Sequence, residues 1–180
     1  MKLNPHSTAL LLVDVQERLF YHMHEYATLE KRLGTLLQGL QLLHIPIFCN
    51  QQYTKGLGET IPSLREILGE HHVYEKKTFS CCHNEAIMSA LKQQGIENVI
   101  LAGIETHICV LQTALDCLDA SFQTIVCADA TSSRKISDYE IAKTRFIQEG
   151  IRLSSVESLL FELMQSAEHP AFKAISTLVK

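Results

Sequence analysis

Three residues whose side chains together can break a bond at a carbonyl carbon stand just past separate apolar segments of this sequence: Asp14, Lys77 and Cys109. A cysteine becomes a strong nucleophile once its thiol gives up its proton. A carboxylate beside it can take that proton and later return it to a leaving group. A lysine at the same place holds the carboxylate ionised, or favours the thiolate through its own charge. Cys109 falls in the first turn of a helix expected over residues 107–120. There the positive end of the helix dipole lowers a thiol pKa, and free amides can hold a developing oxyanion. Taken singly, each residue has a plainer use: a small buried hydrophobe, a loop or cap carboxylate, and a solvated surface charge.

The elements that must bring these residues together are legible as alternating strands and helices. Residues 8–15 (TALLLVDV) form an unbroken apolar run, the pattern of a strand buried on both faces. Further strands are expected over 45–50, 72–76, 98–102, 122–127 and 151–153. Helices are expected over 28–43, 63–68, 84–94, 107–120, 137–149, 154–165 and 170–179, with Gly95 and Gly150 as stops. Such alternation implies βαβ crossovers and a mostly parallel sheet covered on both faces. Ligands of open α/β sheets bind beyond the C-terminal strand ends, where strand order reverses. The informative positions are therefore Asp14, Gln16 and Glu17; Asn50 to Tyr53; Lys76 to Ser80; Gly103 to Cys109; and Asp129. Gln16, Phe20, Gln52, Tyr53, Phe79 and Thr106 are candidate substrate-pocket walls by position.

Composition sets the outer limits. A chain of 180 residues with no repeat or linker reads as one domain over residues 1–180. The net charge of −4 and the scatter of Lys and Arg argue against a nucleic-acid surface. Apolar runs are too short for a membrane span, and residues 1–5 have no signal-peptide pattern. A cytoplasmic setting is expected, with the six cysteines as thiols rather than disulfides. They lack the paired spacing of zinc sites, and adjacent His71 and His72 would point apart on a strand, so neither metal nor cofactor is expected.

Three segments in order, Leu10-Leu11-Leu12-Val13-Asp14-Val15-Gln16, Lys77-Thr78-Phe79-Ser80 and Ala102-Gly103-Ile104-Glu105-Thr106-His107-Ile108-Cys109-Val110, resemble the isochorismatase-like cysteine hydrolase superfamily. The loop Gln52-Tyr53-Thr54-Lys55-Gly56-Leu57-Gly58, the stretches 115–119 and 129–134, and the tail 169–173 are similar to its isochorismatase domain-containing subgroup. The resemblance implies a six-stranded parallel sheet with helices on both sides and a triad of Asp14, Lys77 and Cys109. It also implies a cis peptide between Ile104 and Glu105, an oxyanion hole from the amides of Glu105 and Cys109, and assembly as a homo-oligomer. Asn50-Gln51-Gln52 departs from the metal-binding pattern of the family's nicotinamidases. Having Cys109 points to a small amide, imide or related carbonyl substrate attacked through a thioester, rather than to a vinyl ether. Two other readings stay open: a non-catalytic binding protein of the same fold, and a redox-responsive thiol protein using Cys109 or the vicinal pair Cys81-Cys82.

Overall fold

The computed structural model describes residues 2–180. Strand β1 (Thr8–Val13) has all six residues buried, as an unbroken apolar run at the centre of a sheet requires. It is flanked by β2 (Ile47–Gln52) and β4 (Asn98–Ile104), with β3 (Val73–Lys76), β5 (Gln123–Ser132) and β6 (Arg152–Ser154) outside them. The sheet order is β3-β2-β1-β4-β5-β6 and every neighbouring pair is parallel. Strand order reverses between β1 and β4, so the ligand crevice of this architecture opens where β1 and β4 end.

The helices are α1 (Glu17–Phe20), α2 (Tyr26–Leu42), α3 (Thr54–Leu57), α4 (Pro62–Leu68), α5 (Glu85–Gln93), α6 (Leu111–Asp119), α7 (Ile136–Gln148), α8 (Val156–Met164) and α9 (Phe172–Leu178). Alternation along β1 divides the core between the faces. Leu10 and Leu12 pack with Leu33, Leu36, Leu37 and Leu40 of α2, Leu159 and Leu160 of α8, and Ile175 of α9. Ala9, Leu11 and Val13 pack on the other face with Ile87 and Leu91 of α5, Ala114 and Cys117 of α6, and Phe146 of α7. Among the described residues no helix is long and apolar enough to cross a membrane.

Two expected boundaries move in ways that matter for the site. Strand β5 runs on to Ser132, because a register shift lets Thr131 and Ser132 pair with Gly103 and Ile104. The expected helix over 107–120 opens instead with a π-helical turn, Thr106–Val110, before α6 begins.

Candidate active site

Asp14 leaves the end of β1 with a left-handed backbone, φ 55°, and its amide donates to the Asn50 carbonyl at 3.1 Å. That turn puts a carboxylate at the base of the crevice. The side chains of Asp14 and Lys76 are each only 1% exposed, and Lys76 Nζ donates to Asp14 Oδ2 at 2.7 Å. The ammonium also donates to Gln52 Oε1 at 2.9 Å, to the Phe79 carbonyl at 2.9 Å and to the Thr78 carbonyl at 3.4 Å. A buried ammonium survives only with such partners, since each unmet charge costs several kcal/mol.

The lysine of the site is therefore Lys76, and the expectation for Lys77 is corrected. Side chains alternate along a strand. Lys76 ends β3 opposite Gln52 and reaches past β2 to Asp14, whereas the next residue turns outward. Lys77 is exposed, and its carbonyl accepts from Gln52 Nε2 at 2.8 Å.

Cys109 sits in the π-helical turn after β4, 6% exposed. The amides of Ile108 and Val110 both donate to the Glu105 carbonyl, at 2.8 and 3.4 Å. The second bond spans five residues, the widened turn that recurs at functional sites. Thr113 Oγ1 donates to the Cys109 carbonyl at 2.7 Å and accepts from the Cys81 amide at 3.0 Å, fixing the turn from behind. No peptide bond among the described residues is cis, so the cis bond implied at Ile104–Glu105 is absent. The chain turns there through Gly103, φ 135°, and Glu105, φ 56°. A Cβ on Gly103 would stand 2.1 Å from the Val13 carbonyl oxygen, so only glycine lets β4 lie this close to β1.

The electrostatics also differ from a simple helix-start thiol. Burial pushes the Cys109 thiol well above the ordinary range, and the negative Asp14 adds to this, while Lys76 opposes it. Burial likewise raises the Asp14 carboxyl, with the charge and hydrogen bond of Lys76 pulling it back down. Thiol and carboxylate are close enough to shift each other's ionisation. Yet no hydrogen bond of ordinary geometry reaches Asp14 Oδ1, which is buried without a partner.

The candidate wall residues divide. Gln16 is buried and its amide is fully engaged: Nε2 donates to the carbonyls of Gly58, at 2.7 Å, and Gln52, at 3.0 Å, while Oε1 accepts from the Gln52 amide at 2.7 Å. It latches the loop after β2 to the end of β1 and is withdrawn as a pocket wall. Phe20 is withdrawn too, because it is sealed in the core under the rings of Tyr21 and Tyr26. Thr106 is buried at the head of the π turn with Oγ1 unpaired. Gln52 touches the lysine, while Tyr53 (49% exposed) and Phe79 (52% exposed) present rings to solvent on the segments that follow β2 and β3. Asp129 lies within β5, where Oδ1 accepts the Val156 amide at 2.8 Å and the carboxylate pairs with Arg32 at 3.7 Å, so it anchors the start of α8.

Sequence reasoning missed a second charged group behind the site. Glu105 Oε1 pairs with Arg134 Nε at 2.8 Å, and His107 Nδ1 lies 3.7 Å from Glu105 Oε2 and 2.9 Å from Ser133 Oγ. Ser133 and Arg134 follow directly on the extended end of β5, whose length no local pattern revealed. Lys76, by contrast, was within reach, since counting alternate residues along β3 selects it. Among the described residues no group of three or more His, Cys, Asp or Glu side chains is placed to hold a metal ion. His71 Nδ1 donates to the Gly69 carbonyl at 2.7 Å, and the His72 ring packs edge-on against Tyr74.

Comparison with known proteins identifies the family and the fold. The model of the isochorismatase domain matches residues 8–158. Isochorismatase domain-containing protein 1 of Salmo salar is 36% identical over 98% of this chain, which spans 62% of that protein's length. Isochorismatase domain-containing protein 2 of Danio rerio is 37% identical over 99% of this chain and 89% of its own. Among solved structures, the MAR1 ribonuclease of Caenorhabditis elegans superposes with a TM-score of 0.92 at 33% identity, covering 99% of this chain and 92% of that one.

Proposed function

The chain belongs to the isochorismatase family, and from that premise we propose that it is a hydrolase in which Cys109 attacks a small amide, imide or related carbonyl substrate. The observation that carries this reading is the Asp14 carboxylate, held on Oδ2 by buried Lys76 and close enough to the Cys109 thiol for each to shift the other's ionisation. The resting thiol is protonated. As sulfur attacks the carbonyl carbon, its proton passes to Asp14. The tetrahedral oxyanion rests on the backbone amides of Glu105 and Cys109, at and just before the π turn. Collapse breaks the carbon–nitrogen bond, and Asp14 returns the proton to the departing nitrogen. Asp14 then takes a proton from water. The hydroxide adds to the thioester, the carbon–sulfur bond breaks, and the proton goes back to sulfur. Lys76 keeps the carboxylate oriented and moderates the charge that builds on it. Gln52, Tyr53, Phe79 and Thr106 surround the approach.

The test is a turnover screen of amides, imides and ureido acids with Cys109→Ala as control, coupled to mass spectrometry of the acyl-enzyme. Turnover lost in Cys109→Ala, with an acyl mass on Cys109 in the native chain, supports the proposal. Turnover that survives Cys109→Ala ends it. An RNA substrate belongs in the panel because a relative is described as a ribonuclease. Cleavage of RNA alone would replace the carbonyl reading.

A further inference from the structure

We infer that Cys82 and Cys117 form a redox site: a dithiol that a hydroperoxide oxidises to a disulfide. Cys82 lies in a 3₁₀ turn, Cys81–His83, on the segment that follows Lys76. Cys117 lies in α6, the helix that continues from the Cys109 turn. Their sulfurs are 3.4 Å apart, in contact, with Cys82 Sγ also 3.8 Å from the Thr113 carbonyl. A disulfide needs about 2.05 Å between sulfurs, so closure asks for a small approach of two side chains already facing each other. The other thiols have different surroundings. Cys49 meets Thr60 Oγ1 at 3.4 Å, Cys127 meets Asp129 Oδ1 at 3.5 Å, and Cys81, neighbour to Cys82 in sequence, is wholly buried.

The two sulfurs are unequal in the way stepwise oxidation requires. Cys82 is partly exposed and Cys117 is buried. The hydrogen bond with Cys117 holds the Cys82 thiol below its ordinary value against the pull of partial burial, while Cys117 is raised by the same contact. Cys82 is therefore the attacking thiolate. It takes one oxygen from the hydroperoxide, whose O–O bond breaks to release water or an alcohol, and becomes a sulfenic acid. Cys117 then attacks that sulfur. The S–S bond forms, the hydroxyl leaves with the Cys117 proton as water, and two electrons have passed from the dithiol to the peroxide. The product ties the segment that follows Lys76 to α6, the helix that continues from the Cys109 turn. Neither step uses Cys109, so this site stands apart from the hydrolytic reading.

The experiment is oxidation of the full chain with hydrogen peroxide, then alkylation of remaining thiols and non-reducing peptide mapping. The expected product has lost two hydrogens and joins the peptide of Cys82 to that of Cys117, and dithiothreitol restores both thiols. The cross-link is lost in Cys82→Ser and in Cys117→Ser and persists in Cys109→Ala. Over-oxidation of Cys82 without a cross-link, a disulfide at any other pair, or a cross-link that survives Cys82→Ser would overturn the assignment. Mapping of the unmutated chain decides the matter even where a variant fails to fold.

Discussion

Cys109 and Cys82 each sit in a single helical turn that follows a strand, yet their surroundings set them to opposite chemistry. The Cys109 sulfur is nearly sealed and faces a carboxylate, so burial and like charge keep its proton on. The Cys82 sulfur is partly buried and is hydrogen-bonded to a second thiol, which eases its proton off. A helix start alone does not make a thiolate. Desolvation and the nearest charge outweigh a dipole worth roughly 0.3–1 kcal/mol at an exposed terminus. The teaching is that a protonated thiol beside a base suits attack coupled to proton transfer, whereas a thiol that loses its proton more readily suits reaction with peroxide.

The largest expected effect separates the two cysteines by turnover. Cys109→Ala should lower kcat/KM on an accepted amide or imide by about 10³-fold or more, the scale of losing a nucleophile. Cys82→Ser should leave it near the starting value. Equal losses in both variants, measured by steady-state kinetics, would erase the distinction between the two thiols.

Next comes stability. Lys76→Ala leaves the Asp14 carboxylate buried without its ion pair, which costs about 3–5 kcal/mol, read as a lower midpoint in urea unfolding. A midpoint that stays put would show that Asp14 does not depend on the ammonium.

The pH dependence of alkylation sharpens the contrast directly. Thiolate is the reacting form, so a raised thiol gains reactivity only at higher pH and a lowered one at lower pH. With iodoacetamide and mass-spectrometric readout, the midpoint for Cys82 should fall below that of a free cysteine, and the midpoint for Cys109 above it. The midpoint, not the absolute rate, is diagnostic, because access to Cys109 is also restricted. A reversed order would mean that burial does not govern Cys109.

The smallest effect is that of Lys77→Ala. An exposed lysine away from the carboxylate should change stability by no more than about 0.5 kcal/mol and leave turnover unaltered. A large loss would return the site to Lys77 and remove Lys76 from it.

Much of the layout could be read from residue order. The buried run before Asp14, the alternation of strands with helices, and the place of Cys109 after a glycine-bearing strand end all follow from apolar periodicity and stop signals, which are local. These patterns put Asp14 and Cys109 just past strand ends, where the structure has them. The expectation for Lys77 fails because a place just past a strand does not fix side-chain direction, and alternation along β3 turns Lys76 toward Asp14 instead. Gln16 and Phe20 were misread because position after a strand says nothing about whether a side chain faces solvent, a backbone carbonyl or the core.

What the sequence determined by itself is therefore the parallel sheet, its buried central strand, and the acid and thiol beyond two strand ends, since hydrophobic patterning and chain order suffice for these. Only the tertiary structure decided which lysine meets the acid, that the Cys109 turn is π-helical, that Glu105 pairs with Arg134, and that Cys82 touches Cys117. Those outcomes depend on side-chain direction and on contacts between distant segments. They arise when packing adds the desolvation and charge of neighbours that no local window contains.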